Sequence, residues 1–403
     1  MQPRCGRAPV FLVKKPQLSK LAEAGASHSI PLSHGRDARI DTLRGLALIV
    51  MTVNHLQGRL HLLTYQTFGF VSAAEVFIFA SGLVGGMVFT RLADRDGPTA
   101  VRKKAHWRAV LLYTYHVLTL WALVALGHIE KFEKAWRSWI PVFKDTLLLE
   151  APAQASALGA ALIYQPTYLD ILPMYTVFLF SLPFVLSCLR RGRGLWILAA
   201  SLAIWVFAQE GRTFHAFDSA LRQANMRAPF FDIFAWQAMF WLGLVAGHRR
   251  QQGLRVRPPR WSFWPCLAIC IVLALLRWDV ISGQWVLEFF DLRAATNVTC
   301  LGWLRLLNFL FLANVVMQVG AWKPDWLTWR WPAFLGRHSL QVYTAHIAAV
   351  FLLAPWLKSI DKMAWHEEAL RTLVVLGLLT LTAWCHARWQ AGAGFSSRRR
   401  ASA

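Results

Sequence analysis

An arginine and a histidine, Arg44 and His55, lie eleven residues apart in a segment that is otherwise almost entirely apolar. An α-helix turns about 100° per residue, so eleven steps bring both side chains to within about 20° of one helix face. The same eleven steps rise about 16 Å, roughly half of the hydrocarbon core of a bilayer. Ionisable side chains at such depth are rare and occur mostly at functional sites. The pair therefore predicts a site that extends from one membrane face toward the midplane.

The composition of the chain is that of a membrane protein with many helices. Of its 403 residues, 56% are hydrophobic and 16% are charged, whereas a soluble protein carries about 25% charged residues. The 21 Trp and 26 Phe suit a protein with many water–lipid interfaces to anchor. A formal charge of +22 would indicate nucleic acid in a soluble protein, but here the basic residues cluster between apolar runs. We therefore expect these basic residues to set the orientation of the chain in a membrane, and we expect no nucleic-acid partner.

Ten apolar runs have the length of membrane spans, which predicts an all-α, polytopic membrane helix bundle. The loops between them are alternately rich and poor in Arg and Lys, as the positive-inside rule requires when both termini are cytoplasmic. We expect a disordered basic cytoplasmic arm at 1–38, a transmembrane domain at 39–391 and a basic cytoplasmic tail at 392–403. The ten runs are 43–63, 70–92, 107–127, 168–189, 194–209, 231–248, 261–278, 303–322, 334–357 and 369–390.

Two longer loops lie on the side that is poor in basic residues, at 128–167 and 279–302. Both contain short apolar stretches, so we expect each to hold an interfacial or re-entrant helix that forms part of an acceptor site. The six cysteines are scattered, and no zinc, P-loop, dinucleotide-binding or nucleophile-elbow motif is present in the sequence. The sequence thus predicts neither a metal site nor nucleotide hydrolysis.

The second apolar run contains a carboxylate, Glu75, which is predicted to lie near the depth of His55. We expect Glu75 to orient His55 or to raise its basicity. The alternative is a structural ion pair, or a protonated glutamic acid that is hydrogen-bonded inside the bundle. In the same run, the spacing of Gly82 and Gly86 permits a close helix contact.

The ninth run repeats the pattern of polar groups in an apolar segment. Ser339 and His346 are seven residues apart and share a helix face. Arg337 is expected at the cytoplasmic mouth, where an anionic cosubstrate arrives. The alternatives are a positive-inside anchor for Arg337 and a hydrogen bond within the bundle for His346.

The fourth run opens with Tyr168, Asp170 and Tyr175, which place a carboxylate and two phenols at the outer mouth. These groups are suited to binding sugar hydroxyls. Capping of the helix by Asp170 is an equally good explanation of that residue.

These blocks, taken together, resemble the OpgC family of osmoregulated periplasmic glucan succinyltransferases, within the acyltransferase-3 superfamily of integral-membrane acyltransferases. They are similar also to the lysosomal heparan N-acetyltransferases. The resemblance covers about residues 36–390. Its blocks are Arg36 to Gly45 with the Arg-x₁₀-His spacing to His55, Phe70 to Gly82, Tyr168 to Pro173, and Gly336 to Leu340.

The resemblance implies about ten spans and transfer of a succinyl group from cytosolic succinyl-CoA to a periplasmic glucan, across the bacterial inner membrane. Succinyl and acetyl donors both remain open, as does the oligomeric state, a homo-oligomer included. The chain would use acyl-CoA as a cosubstrate and hold no permanent cofactor. Carried onto this sequence, the resemblance makes His55 the catalytic histidine and Arg44 the residue that lines the donor side, and Glu75 and Asp170 fall within its matching blocks. With the residue patterns above, we expect His55 and Glu75 to be catalytic, Arg44, Arg337, Ser339 and His346 to bind the donor, and Tyr168, Asp170 and Tyr175 to bind the acceptor.

The chemistry expected from the residues agrees with that assignment. Acyl transfer to a hydroxyl needs a base near neutral pH, and a histidine contributes typically about 10²–10⁴-fold. A polytopic transporter or flippase for a glycan or lipid-linked precursor is the alternative, with His55 and Glu75 as proton carriers. Against it, the sequence shows no repeat of broken helices between its halves.

Overall fold

The first helix, α1 (Ala38–His55), ends at the histidine that the sequence singles out. In this computed structural model, the described residues are 37–138, 147–210, 219, 229–254, 258–281, 291–356 and 363–401, the last nine by their backbone alone. Within those ranges the chain is helical and has no β-strand, so the predicted all-α class is confirmed. The predicted arm at 1–38 lies almost wholly outside the described residues.

The predicted run 43–63 is wrong at its end, because the helix does not continue past His55. Gln57 adopts a left-handed backbone conformation with φ 51°, which stops the helix. A short helix, α2 (Leu60–Thr64), follows the turn. The backbone N–H of Leu60 donates to the Glu368 carboxylate at 2.8 Å, so a distant helix fixes this turn.

The second and third predicted runs, 70–92 and 107–127, belong to one helical stretch, α3 (Ala73–Gly127). This stretch is broken at Gly97, whose φ of 81° and ψ of 177° are not helical, and Pro98 follows directly. The basic connection between the two runs is therefore helical on both sides of the break. Apolarity marks only the part of a helix that can cross a membrane, which is why the sequence showed two shorter elements.

Most of the later runs correspond to single helices. The predicted run 334–357 is wrong in this respect, because it is divided at His338 (φ −109°, ψ 30°) into two helices. The described helices after α3 are Glu130–Ser138 (α4), Leu147–Glu150 (α5), Pro152–Ala160 (α6), Ile171–Arg190 (α7), Gly194–Gln209 (α8), Ile233–Gln251 (α9), Phe263–Arg277 (α10), Leu292–Ala295 (α11), Trp303–Trp322 (α12), Arg330–Arg337 (α13), Ser339–Leu353 (α14) and Trp365–Ala401 (α15).

Both long loops contain short helices, as expected. The loop 128–167 holds α4, α5 and α6, with 139–146 outside the described residues, and the loop 279–302 holds α11, with 282–290 outside them. Whether these helices lie at the membrane interface or re-enter the membrane stays a prediction.

Six helices among the described residues are long and apolar enough to cross a membrane, so the predicted count of ten is not confirmed. Helix α1 is not among the six, because charged residues such as Arg44 lower its apolarity. Helix α8 is not among them either, because its 16 residues are too few. The outer surface is apolar: Leu195, Trp196 and Trp264 are more than 70% exposed. Such a surface suits contact with lipid rather than with water.

Helix α3 packs tightly against α9 through small residues on both helices. A Cβ atom added to Gly82 would lie 2.2 Å from the carbonyl oxygen of Phe240, and one on Gly86 would be equally close to the next turn. Helix α9 contributes Gly243 and Gly247, which meet the backbone of α3 in the same way. The close contact predicted from Gly82 and Gly86 is thus confirmed, with a reciprocal pair on its partner.

Candidate active site

The centre of the site is a pair of histidine rings from α1 and α14. The Nδ1 atom of His55 lies 3.1 Å from the Nε2 atom of His346, which is a hydrogen-bond distance. His346 is fully buried, whereas His55 is only partly buried and so can be reached by a substrate. If the Nδ1 atom of His55 is protonated and donates a hydrogen bond to Nε2 of His346, the Nε2 atom of His55 is unprotonated and has a free lone pair. That is the form a general base requires.

Tyr168 covers the His55 ring from the side of α7. The two rings stack with centroids 3.9 Å apart and an angle of 24° between their planes. The Tyr168 backbone has φ 70°, and its carbonyl oxygen accepts a hydrogen bond from the Tyr343 hydroxyl at 2.8 Å. The Tyr168 hydroxyl in turn accepts from the Gln57 amide at 3.5 Å.

Two non-glycine residues beside His55, Gln57 and Tyr168, therefore have left-handed backbones. Each such conformation costs on the order of 1 kcal/mol, and they concentrate at functional sites where the surrounding structure imposes them. At Tyr168 the hydrogen bond from Tyr343 holds the strained residue in place. The turn after His55 and the segment before α7 are thus fixed around the histidine ring.

Arg44, at the other end of α1, contacts the beginning of α14. Its Nη2 atom donates to the Ser339 hydroxyl at 2.5 Å, and its guanidinium group lies 5.9 Å from the centre of the Phe77 ring. Helix α14 therefore meets α1 twice, through Ser339 near the start of α1 and through His346 at its end. The two helices run in the same direction, and the Arg44–Ser339 and His55–His346 contacts lie on one seam between them. The sequence had placed Arg44 with His55, and Ser339 with His346, each pair on one face of its own helix, but had not predicted these contacts between the helices.

A backbone contact between α1 and α13 sets this seam. A Cβ atom on Gly45 would lie 1.8 Å from the carbonyl oxygen of Pro332, and one on Gly336 would lie 1.9 Å from that of Asp41. Only glycine permits so close an approach. Because α14 begins directly after α13, this crossing places Ser339 within reach of Arg44.

The structure gives Glu75 partners other than His55. Its carboxylate accepts from Nε of Arg305 at 2.8 Å and from Nη2 of the same residue, and both side chains are fully buried. It also accepts from the backbone N–H and hydroxyl of Ser72, which form a capping box at the start of α3. This is the structural ion pair that was the alternative for Glu75, and the described contacts of Glu75 do not include His55.

The other predicted site residues, Asp170, Tyr175 and Arg337, differ in their burial and in their hydrogen-bond partners. Asp170 precedes α7 and is buried, but its side chain makes no capping hydrogen bond. Tyr175 lies inside the bundle rather than at a mouth, with its hydroxyl donating to the Phe77 carbonyl oxygen at 3.3 Å. Arg337 is exposed at the end of α13, where its Nε atom donates to the Ala333 carbonyl oxygen at 3.3 Å.

No role was assigned from the sequence to three residues that shape this region. Gln57 and Tyr343 hold Tyr168, and Arg305 pairs with Glu75. Arg305 had a usable signal, because it is a charge near the start of an apolar run, whereas nothing local marks Gln57. The described residues contain no group of three or more His, Cys, Asp or Glu side chains that could hold a metal ion.

Comparison with known families fits this geometry. The family model described as OpgC protein matches residues 36–391. The chain belongs to the OpgC family. The match extends from the residues just before α1 into α15 and so includes both helices of the histidine pair. No curated protein and no solved structure matches the chain. With its apolar helices, the chain is a membrane protein of the OpgC family, as the resemblance predicted.

Proposed function

We propose that this chain is an O-acyltransferase that moves an acyl group from cytosolic acyl-CoA to a hydroxyl of a periplasmic glucan, with His55 as general base. We propose succinyl as the acyl group, with acetyl as the alternative. Support comes above all from one observation: a partly buried His55 with its Nδ1 atom hydrogen-bonded to the fully buried His346. Membership of the OpgC family adds to it.

The reaction needs one proton acceptor and one leaving group. The Nε2 atom of His55 takes the proton of the acceptor hydroxyl as its oxygen attacks the thioester carbonyl carbon. A C–O bond forms and the C–S bond breaks, and the proton then passes from His55 to the departing coenzyme A thiolate. His346 accepts the hydrogen bond from Nδ1 and so stabilises the positive charge that develops on His55.

The donor lies along α1 in this proposal. Arg44 sits about 16 Å from His55 along the helix axis, a distance that the slender pantetheine arm of coenzyme A can span. Its guanidinium group, with the hydroxyl of Ser339, binds anionic parts of the donor, and the exposed Arg337 attracts the phosphates from the cytoplasm. The donor stays on its own side, and only the acyl group reaches His55.

The acceptor approaches from the opposite end of α1. Tyr168 and the buried Asp170 lie at that end and offer a ring and a carboxylate to the glucan hydroxyls. The chain lies in the bacterial inner membrane with both termini in the cytoplasm, so that this end faces the periplasm. The side on which the termini lie is inferred from the loop charges, and the membrane and the glucan are inferred from the family resemblance.

The test is transfer by the purified protein in detergent. Succinyl-CoA or acetyl-CoA is supplied with isolated glucan, and the glucan mass is measured before and after incubation. Esterified glucan, formed without any membrane barrier, is expected. A transporter or flippase moves its cargo only across sealed vesicles, so an unmodified glucan together with uptake into proteoliposomes would overturn the proposal.

A further inference from the structure

Arg371 lies on α15 beside the turn that follows His55. One turn earlier, Glu368 accepts the backbone N–H of Leu60 at 2.8 Å, and one turn later, Val375 packs in one buried cluster with Leu56. Residues three and four apart share a helix face, so Arg371 lies between these two contacts. Its side chain is therefore on the side of α15 that meets the end of α1.

The guanidinium group of Arg371 is buried without a hydrogen-bond partner on one edge. Its Nε and Nη2 atoms are inaccessible to water and have no hydrogen-bond partner in the part of the chain that the structure describes. The equivalent edge of Arg305 is filled by the Glu75 carboxylate. Arg44 and Arg277 likewise have donors bonded, to Ser339 and Gln66.

A buried guanidinium edge with two unsatisfied N–H donors is suited to binding an anion. Burial of a charged group without hydrogen bonds costs more than burial of a neutral one, so a ligand that fills the edge is stabilised. The Nε–H and Nη2–H groups point the same way and match the two oxygens of a carboxylate. Glu368 is close enough to interact electrostatically with Arg371, but it makes no hydrogen bond to this edge, and its Oε1 atom accepts from Leu60.

We propose that Arg371 binds a free carboxylate at the far end of the transferred acyl group, and so selects a dicarboxylic acyl donor over an acetyl donor. The inference rests on the proposed function. The phosphates of the donor stay near Arg44, at the other end of α1, and a neutral glucan offers no anion. The acyl group is the part of the donor that comes to His55 and extends past it, toward the turn that Arg371 adjoins.

Donor selectivity tests the proposal. The kcat/KM values for succinyl-CoA and acetyl-CoA are measured with the wild-type protein, Arg371→Met, Arg371→Lys and the control Arg59→Met. Arg59 is exposed on the same turn, so its loss removes a nearby positive charge without touching the buried edge. We expect Arg371→Met to lower the succinyl-to-acetyl ratio by about 10- to 100-fold, the usual effect of a charged hydrogen bond. Arg371→Lys should keep part of the preference, and Arg59→Met should leave the ratio unchanged.

Other outcomes separate the possible failures. An unchanged ratio in Arg371→Met, or an equal loss with both donors, overturns the role of Arg371 while wild-type transfer upholds the proposed function. A loss with both donors that depends on anionic lipid in nanodiscs would assign the edge to a lipid phosphate instead. Absence of transfer by the wild-type protein with either donor overturns the proposed function itself. If Arg371→Met does not fold, the ratio measured with Arg371→Lys decides, because that variant keeps the charge and loses the two-pronged edge.

Discussion

His55 and His346 are 291 residues apart in the chain, yet their ring nitrogens lie 3.1 Å from each other. The helices that carry them meet a second time where Arg44 donates to Ser339. Two contacts along one seam fix both the position and the rotation of α1 relative to α14. The histidine at one end of α1 and the arginine at the other are thereby held at a constant separation, which the proposed transfer from a long, flexible donor requires.

Replacement of His55 by alanine should abolish acyl transfer while the protein still folds. A general base contributes about 10²–10⁴-fold, so the rate of His55→Ala should fall below about one hundredth of the wild-type rate. The measurement is glucan esterification in detergent, with the apparent melting temperature as a check on folding. His128→Ala is the control, because His128 is exposed directly after α3 and its Nδ1 atom hydrogen-bonds to the carbonyl oxygen of Val124. A His55→Ala variant with more than about a tenth of the rate would exclude the base role.

Arg44→Ala should weaken binding of the coenzyme A thioester by about 1–3 kcal/mol, and Arg44→Lys should recover part of the loss. Isothermal titration calorimetry measures the affinity. Ser339→Ala is measured beside it and should weaken binding less, since it removes the hydrogen-bond partner of Arg44 but keeps the positive charge. Unchanged donor affinity in Arg44→Ala would show that the arginine only holds α1 against α14.

The Glu75–Arg305 pair should act on stability rather than on chemistry. Removing one partner of a buried ion pair typically costs about 3–5 kcal/mol, because the other charge is left unpaired. Glu75→Gln and Arg305→Met should therefore each lower the melting temperature. The double variant, Glu75→Leu with Arg305→Met, should regain much of the stability and, with it, transfer activity. A stable double variant without activity would instead return Glu75 to the catalytic residues.

Gly336→Ala should disturb the seam, since its new Cβ atom would lie 1.9 Å from the carbonyl oxygen of Asp41. Overpacking of this kind costs typically about 1–3 kcal/mol, and here it also moves Ser339 away from Arg44. We expect a lower melting temperature and slower transfer. Gly377→Ala is the matched control, because nothing lies within 4 Å of a Cβ atom there. Equal behaviour of the two variants would contradict the close crossing of α1 and α13.

The direction of transfer depends on the topology of the chain. In a background without the native cysteines, a cysteine at Ser138 should react with a membrane-impermeant thiol reagent on intact spheroplasts. One at Thr99 should react only after the membrane is opened. Both positions are exposed, so accessibility of the side chain itself is not limiting. The reverse labelling pattern would place the basic connection between the second and third runs outside, and the proposed donor entrance with it.

Features that depend on residues close together in the sequence could be predicted from the sequence. The Arg44–His55 spacing and the Gly82–Gly86 spacing each concern one helix, and in the structure each pair lies within a single helix, although the ends of both helices differ from the predicted ones. Apolarity likewise located most of the long helices. It failed at His338, where one apolar run contains two helices, because a break in the backbone leaves hydropathy unchanged.

Contacts between distant segments could not be predicted in the same way. Glu75 was placed beside His55 by depth alone, but depth does not say which helix is its neighbour, and its partner Arg305 lies 230 residues away. The left-handed backbone of Gln57 depends on a turn that Glu368 holds from another helix. A single sequence carries no information on such pairings.

The crossing of Gly45 and Gly336 also concerns the permeability of the membrane. With backbone atoms of α1 and α13 in direct contact, no column of water fits between these two helices at that level. The proposed reaction moves an acyl group across a bilayer, and the protein must at the same time hold back protons and ions. At this crossing the barrier is the peptide backbone itself, so a substitution that opened it would be expected to cost the cell its proton gradient as well as the enzyme its activity.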